Sequence, residues 1–160
     1  MTRRVFFSFH YKDDIFVVMQ IRNAWKLQPY RDAQPLLDKA EFERIKRTGQ
    51  SATKNWIDKQ MNGCGVLVVL FGQNTHARPW VRYEIALAHH RKMGILGISL
   101  EGMKGRNSYE IKGVSPSPFG FRYPNPPTDI PAYPTYNWVG NDGRNNIGNW
   151  VETAAMAARR

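Results

Sequence analysis

An α/β fold built on a parallel β-sheet is predicted for this chain of 160 residues from three observations. Segments with strand-like and helix-like patterns alternate along most of the sequence. The run ValLeuValValLeuPhe at Val66–Phe71 is apolar on both faces, as expected of a central strand in a parallel sheet. A hydrophobic content of 42% over this length fits a single domain over residues 1–160 with a substantial core.

Two strands and three helices are predicted before that central strand. Residues 4–9 are expected to form a buried strand, followed by a helix over about residues 14–27, where apolar residues recur on one side. A short strand is expected near residues 29–32. Two further helices are predicted over about residues 40–46 and 51–61.

The second half of the chain continues the alternation and then changes character. Pro79 suits the first turn of a helix, and residues 95–100 are predicted to form the fourth strand. Residues 101–135 contain prolines too densely for a helix, which predicts a long irregular loop whose aromatic residues pack on the domain. A short strand near residues 136–139 and a closing helix over about residues 148–158 complete the chain.

The alternation of strands and helices implies right-handed crossovers, with helices on both faces of the sheet. Five strands predict a flavodoxin-like three-layer domain with a mainly parallel sheet in the order 2-1-3-4-5. Ligands of such sheets bind at the carboxyl ends of the strands, near the switch point between the first and third strands. The segments after Phe9, Phe71 and Leu100 are therefore expected at one rim, with Glu84 within reach of it.

The net charge is +10, from 23 Lys and Arg against 13 Asp and Glu. A field of this sign attracts polyanions of any kind and identifies none of them. Because the basic residues are scattered along the chain, they are interpreted as solvated surfaces, and nucleic acid is not expected as a partner. A nucleic-acid binder whose affinity falls steeply with salt stays an alternative.

The cysteine content and the hydropathy of the sequence indicate the cellular compartment. The single cysteine, Cys64, cannot form an internal disulfide, which favours a reducing compartment and predicts the cytoplasm. No apolar run is long enough to span a membrane, so no membrane partner is expected. The four histidines lack the spacing of metal ligands, and no metal site is predicted.

The phosphate-binding motifs of common cofactor enzymes do not occur in the sequence. Neither a GxGxxG nor a Walker A pattern is present, which argues against dinucleotide-dependent oxidoreductases and P-loop NTPases. The segment after the first strand, HisTyrLysAspAsp, has no glycine or hydroxyl cluster to hold a flavin phosphate. No bound cofactor is predicted.

One carboxylate has no local partner. If the residues around Glu84 are helical, its neighbours three and four positions away are all apolar: Trp80, Val81, Leu87 and Ala88. Such a carboxylate finds a partner from elsewhere in the fold, lies exposed at a cleft, or has its pKa raised by desolvation. Each outcome makes it a candidate for function. The alternative is a solvent-facing glutamate at the border of an apolar stripe.

Several motifs occur together in this chain. They are ArgValPhePheSerPheHisTyr at 4–11, CysGlyValLeuValValLeuPheGly at 64–72, Thr75 and TrpValArgTyrGluIle at 80–85, with further segments at 42–60 and 146–154. In this combination the chain resembles the TIR-like family of bacterial antiphage proteins, and within it the TIR-like sensors of the Thoeris defence system. The resemblance extends over most of the chain.

The resemblance implies chemistry on NAD, which is the substrate, with no further cofactor. It also implies that Glu84 is the catalytic residue. The implied substrate-binding candidates lie at the end of the first strand and one helical turn before the glutamate: Phe7, Ser8, Phe9, His10 and Trp80. For Trp80 two roles stay open, stacking on a flat ring of the substrate or packing in the core.

The reaction implied by the resemblance is cleavage of the bond between nicotinamide and ribose. Water or the adenine base then captures the ribosyl carbon, giving ADP-ribose or a cyclic ADP-ribose isomer, and the sequence does not choose between them. The cyclic product would act as a second messenger to a downstream effector, and self-association on activation is also implied. The alternative is a non-catalytic TIR-like signalling or scaffold module that acts through protein–protein interaction.

Overall fold

A five-stranded sheet in which all neighbouring strands are parallel organises the fold. The computed structural model describes residues 2–36, 39–105, 108–124 and 127–160, and within these ranges no helix has the length and hydropathy needed to cross a bilayer. The helices are α1 (Tyr11–Lys26), α2 (Lys39–Thr48), α3 (Gln50–Met61), α4 (Pro79–His90) and α5 (Gly143–Ala157). The strands are β1 (Arg3–Ser8), β2 (Arg31–Ala33), β3 (Val66–Phe71), β4 (Gly94–Ser99), β5 (Arg122–Pro124), β6 (Pro127–Asp129) and β7 (Thr135–Asn137).

The strand order of the sheet is β2-β1-β3-β4-β7. Since β7 is the fifth strand of this sheet along the chain, the predicted order 2-1-3-4-5 and the flavodoxin-like architecture are confirmed. The central strand β3 pairs on both sides, so that Val68 lies beside Phe7 of β1 and Leu96 of β4. All residues of β3 are buried, as its apolar run predicts.

Two apolar clusters form the core, one on each face of the sheet. Helices α1 and α5 cover one face, and α3 and α4 cover the other. Successive residues of β1 point to opposite faces, so that Phe7 packs under α1 and α5 while Phe6 packs under α3 and α4. The same alternation turns Ser8, the last residue of β1, toward α4.

A tight turn joins β3 to α4. The Gly72 N–H donates a hydrogen bond to the Thr75 hydroxyl at 2.8 Å, and the Thr75 side chain is buried. A single 3-10 turn, Thr75–Ala77, then leads into α4, which begins with Pro79, where a missing N–H costs no hydrogen bond. The Ser115 N–H bonds the Gly72 carbonyl at 2.9 Å, so the segments after β3 and β4 meet at one rim, as expected.

Residues 101–135 contain more regular structure than the predicted irregular loop. Strands β5 and β6 form an antiparallel hairpin in which Tyr123 pairs with Thr128. Phe119, Tyr123 and Ile130 are buried in the core cluster on the α3 and α4 side. Prolines are compatible with this hairpin because they stand at the ends of its short strands, where the ladder requires no N–H.

The closing helix α5 begins at Gly143 instead of about residue 148. Asp142 adopts a left-handed conformation with φ of 52°, which ends the preceding turn one residue before the helix. A Cβ atom at Gly143 would overlap the Trp138 ring. The second glycine of the GlyAsnAspGly segment is therefore the first residue of the helix and not part of the turn.

The start of β4 leaves no room for a side chain. A Cβ atom at Gly94 would lie 2.7 Å from the backbone oxygen of Ala154 in α5. We expect Gly94→Ala to lower the free energy of unfolding by about 1–3 kcal/mol, because α5 has to move away from the sheet. Urea unfolding followed by circular dichroism measures this change. Gly105→Ala is the matched control, since a Cβ atom there would be 3.7 Å from its nearest neighbour. Equal losses in both variants would contradict the packing argument.

Candidate active site

A narrow cavity of about 70 Å³ lies at the carboxyl end of β1. Its walls come from β1, the segment after β2, and helices α2, α3 and α4. The buried floor residues are Phe6, Phe7, Gln34, Thr53, Ile57 and Glu84. The more exposed rim residues are Phe9, Pro35, Leu36, Ile45, Trp56 and Trp80.

The carboxyl group of Glu84 meets the end of β1 at the floor of this cavity. Glu84 lies in the second turn of α4 and is 8% exposed. Its Oε1 accepts a hydrogen bond from the hydroxyl of Ser8 at 2.7 Å, and Ser8 is fully buried. The contact joins residues that are far apart in the sequence, because β3 lies parallel beside β1 and α4 begins just past the carboxyl end of β3.

Burial dominates the electrostatics of Glu84. Desolvation raises the pKa of Glu84 from 4.5 to about 8, while the hydrogen bond from Ser8 lowers it in part. In the part of the chain that the structure describes, no Lys, Arg or His forms an ion pair with this carboxyl group. Two of the predicted outcomes therefore occur together, a distant partner and a raised pKa.

Gln34 closes one side of the cavity by extending the sheet with its side chain. Its Oε1 accepts a hydrogen bond from the Phe7 N–H at 2.9 Å, and its Nε2 donates to the Phe7 carbonyl at 2.7 Å. These two bonds continue the β1–β2 ladder past Ala33, where the main chain of β2 ends. The buried amide thereby fixes the segment that brings Pro35 and Leu36 to the rim.

The opposite wall is formed by α3 and α4, which are joined by a hydrogen bond. The Tyr83 hydroxyl of α4 donates to Asp58 Oδ1 of α3 at 2.6 Å. The Trp80 and Tyr83 rings meet edge to face, with centroids 5.8 Å apart. This arrangement holds the half-buried indoles of Trp56 and Trp80 at the rim.

Comparison with known proteins identifies the family. The family model described as "Thoeris protein ThsB, TIR-like domain" matches residues 6–105, which contain every residue that lines the cavity. The chain belongs to the ThsB TIR-like family. It is similar to a protein of Bacillus cereus (strain MSX-D12) that bears the name "Putative cyclic ADP-D-ribose synthase ThsB1". The two are 35% identical over 164 aligned positions, which cover 100% of this chain and 80% of that protein.

Most of the site residues predicted from the resemblance lie at this cavity. Glu84, Phe7, Phe9 and Trp80 line the cavity, although the side chains of Phe7 and Phe9 pack in the core cluster under α1 and α5. Ser8 lies behind Glu84, where it contacts the carboxyl group and does not line the cavity. The predicted roles of all these residues in catalysis and binding stay predictions.

His10 and Trp80 differ in their relation to the cavity. His10 is the N-cap residue of α1 and does not line the cavity. Trp80 is half-buried, lines the cavity and packs against the core cluster under α3 and α4. The two alternatives for Trp80, core packing and access to a ligand, are therefore compatible with each other.

Sequence reasoning missed the walls formed by Gln34, Thr53 and Trp56. The partner of Gln34 is a backbone 27 positions earlier, and no local pattern predicts that contact. Thr53 and Trp56 lie on a helix that was predicted, but its orientation over the cavity depends on packing with the rest of the fold. The aromatic content of that helix was the one signal available.

A second and larger cavity, about 390 Å³, lies at the opposite end of β4. Its lining includes Lys92, His89 and Arg159, and none of the described lining residues is a carboxylate. Among the residues that the structure describes, no group of three or more His, Cys, Asp or Glu side chains is arranged to hold a metal ion. The narrow cavity, which contains Glu84, is therefore the better candidate for the active site.

The raised pKa of Glu84 makes the stability of the protein depend on pH. The folded protein keeps a proton that the unfolded chain loses above pH 4.5, so stability falls as the pH rises from 4.5 to about 8 and then levels off. The slope is at most about 1.4 kcal/mol per pH unit. We expect the free energy of unfolding of Glu84→Gln, minus that of the wild type, to rise through the same window.

Urea unfolding at a series of pH values from about 5 to 9 measures this difference. Glu43→Gln, at an exposed position of α2, is the matched control for exchanging a carboxyl for an amide. A constant difference between Glu84→Gln and the wild type would show that Glu84 is ionised in the folded protein at the lower pH values.

Proposed function

We propose that this protein is an NAD-cleaving enzyme of antiphage defence, of the NAD glycohydrolase and ADP-ribosyl cyclase type, with Glu84 as its catalytic residue. It breaks the bond between nicotinamide and ribose and forms a cyclic ADP-ribose isomer that activates an effector. The observation that carries the proposal is the single carboxyl group of Glu84 at the floor of an aromatic cavity in a ThsB TIR-like chain. The name given to the Bacillus cereus relative, which contains the words "cyclic ADP-D-ribose synthase", supports the same chemistry.

A single carboxylate is sufficient for bond cleavage. When the bond between the ribosyl carbon and the ring nitrogen breaks, both bonding electrons go to the nitrogen, and nicotinamide leaves as a neutral molecule. The leaving group therefore needs no proton. In most glycosidases, by contrast, a carboxylic acid has to protonate the oxygen of the leaving group. Positive charge develops on the ribose, where the Glu84 carboxylate stabilises it or holds the ribose hydroxyls.

The apolar walls of the cavity favour cyclisation over hydrolysis. Apart from Glu84, the described lining residues with polar side-chain groups are Gln34 and Thr53, which both donate hydrogen bonds to backbone carbonyls, and Trp56 and Trp80 at the rim, with one indole N–H each. Few groups are left to hold an attacking water. A nitrogen of the adenine base then bonds to the ribosyl carbon, and the proton released in forming the neutral product passes to solvent.

The size of the cavity limits which part of NAD it contains. At about 70 Å³ it accepts part of the nicotinamide-ribose end, so the diphosphate and adenosine lie at or beyond the rim. The rim residue Ile45 belongs to α2, whose acidic residues Glu41 and Glu43 lie nearer its start and whose last turn carries Lys46 and Arg47 at exposed positions. Their charge favours a diphosphate there. Action in the cytoplasm, self-association on activation and an effector that receives the nucleotide signal complete the proposal.

The direct test is a turnover assay with purified protein and NAD, alone and with extract of phage-infected cells. We expect the wild type to release nicotinamide and Glu84→Gln to be slower by about 100-fold or more, because the stabilising charge is lost. Chromatography separates ADP-ribose from its cyclic isomers and reports the fate of the ribosyl carbon.

Glu43→Gln on α2 is the control and is expected to keep wild-type turnover. Nicotinamide release by Glu84→Gln at the wild-type rate would refute the role of Glu84. The wild type and Glu84→Gln could both fail to cleave NAD under either condition and yet both support defence in cells. In that case the protein acts as a non-catalytic signalling module.

A further inference from the structure

Glu84 is the source of charge among the described residues that line the cavity. None of the other lining residues that the structure describes has an ionisable side chain. Oε1 of Glu84 is bonded to Ser8, and Oε2 has no hydrogen-bond partner within the described ranges of the chain. One oxygen of the carboxyl group is therefore left for a ligand.

The described charged side chains nearest the cavity have contacts elsewhere or lie at exposed positions. His10 follows β1 and does not line the cavity, and the described charged residues of α2 are exposed. Further examples are Arg4 paired with Asp32, Lys54 and Asp58 at Tyr83, Arg82 over Tyr123, and Asp14 beside Gly72. None of these groups compensates a negative charge on Glu84.

An isolated negative charge is unfavourable in such surroundings, so below about pH 8 Glu84 is mostly protonated and neutral before a ligand binds. A ligand ring with a permanent positive charge changes this balance, because the cation and an ionised Glu84 form a neutral pair. A neutral ring of the same shape provides no such compensation. The indoles of Trp56 and Trp80 at the rim add a further preference for cations.

Building on the proposed function, we propose that this cavity selects ligands with a permanently cationic heteroaromatic ring, and that such a ligand enters with release of the Glu84 proton to solvent. Oxidised nicotinamide dinucleotide has such a ring, and the reduced form does not. When the bond to ribose breaks, the ring becomes neutral and the positive charge moves to the sugar. The Glu84 carboxylate is then attracted to the positive charge on the ribose. The neutral ring no longer has the charge attraction through which it was bound.

Two small probes separate ring charge from ring shape. 1-Methylnicotinamide carries the permanent positive charge but no ribose, and nicotinamide is the neutral ring. Isothermal titration calorimetry measures the affinity of each for the intact protein from about pH 5 to 9. We expect the affinity for 1-methylnicotinamide to rise up to tenfold per pH unit and to level off above about pH 8, while the affinity for nicotinamide does not rise.

The number of protons released is measured at about pH 7 in phosphate and in Tris, which differ in ionisation enthalpy. We expect close to one proton per bound 1-methylnicotinamide and none for nicotinamide. Glu84→Gln should lose the pH dependence and the preference for the cation. In Ser8→Ala the rise should shift to higher pH, because the hydroxyl favours the ionised carboxyl, while the cavity lining is unchanged.

Circular dichroism verifies that both variants are folded, and Ser8→Ala tests the idea without removing the carboxyl group. Equal binding of the two probes, absent binding of 1-methylnicotinamide at high pH, or binding without proton release overturns the inference. These results are independent of turnover. Proton-linked binding without NAD cleavage contradicts the proposed function alone, and NAD cleavage without proton-linked binding contradicts the inference alone.

Discussion

The hydrogen bond between the Ser8 hydroxyl and Glu84 Oε1 is the contact on which the candidate site depends. Ser8 faces α4 because side chains alternate along β1, and Glu84 reaches it because the turn through Thr75 begins α4 at Pro79. A change of one residue in the register of β1 would turn Ser8 to the opposite face of the sheet. The position of the carboxyl group is thus fixed by the same interactions that form the sheet and its crossover.

One physical cause, the apolar lining of the cavity, explains several properties of the site. It removes water from around Glu84 and raises the pKa of that residue to about 8. In the proposed reaction it also limits attack by water on a ribosyl cation, which favours closure of a ring by the adenine base. An uncompensated carboxylate is unfavourable in these surroundings, and in the proposed binding step a cationic substrate compensates it.

The sequence predicted those parts of the structure that follow from local patterns. The apolar run of β3 predicted the central strand. The apolar neighbours of Glu84 left three alternatives for its carboxyl group, of which a distant partner and a raised pKa are found. The Gln34 side chain was not predicted, because its two hydrogen bonds to Phe7 replace strand pairing in a way that only the folded chain shows. The start of α5 was missed because the left-handed Asp142 ends the turn.

In the proposed reaction, the order of events at Glu84 follows from charge balance. Before NAD binds, the carboxyl group is mostly neutral below about pH 8, and it has no charge to compensate. Binding of the cationic ring ionises Glu84, so the carboxylate is formed beside the bond that breaks. After cleavage the positive charge is on the ribose, and the carboxylate stabilises that charge until the adenine base closes the ring. When the neutral cyclic linkage has formed, Glu84 again lacks a counter-charge and recovers its proton. A permanently ionised glutamate held by an arginine would have that charge compensated before the substrate arrived, and it would interact less with both cations.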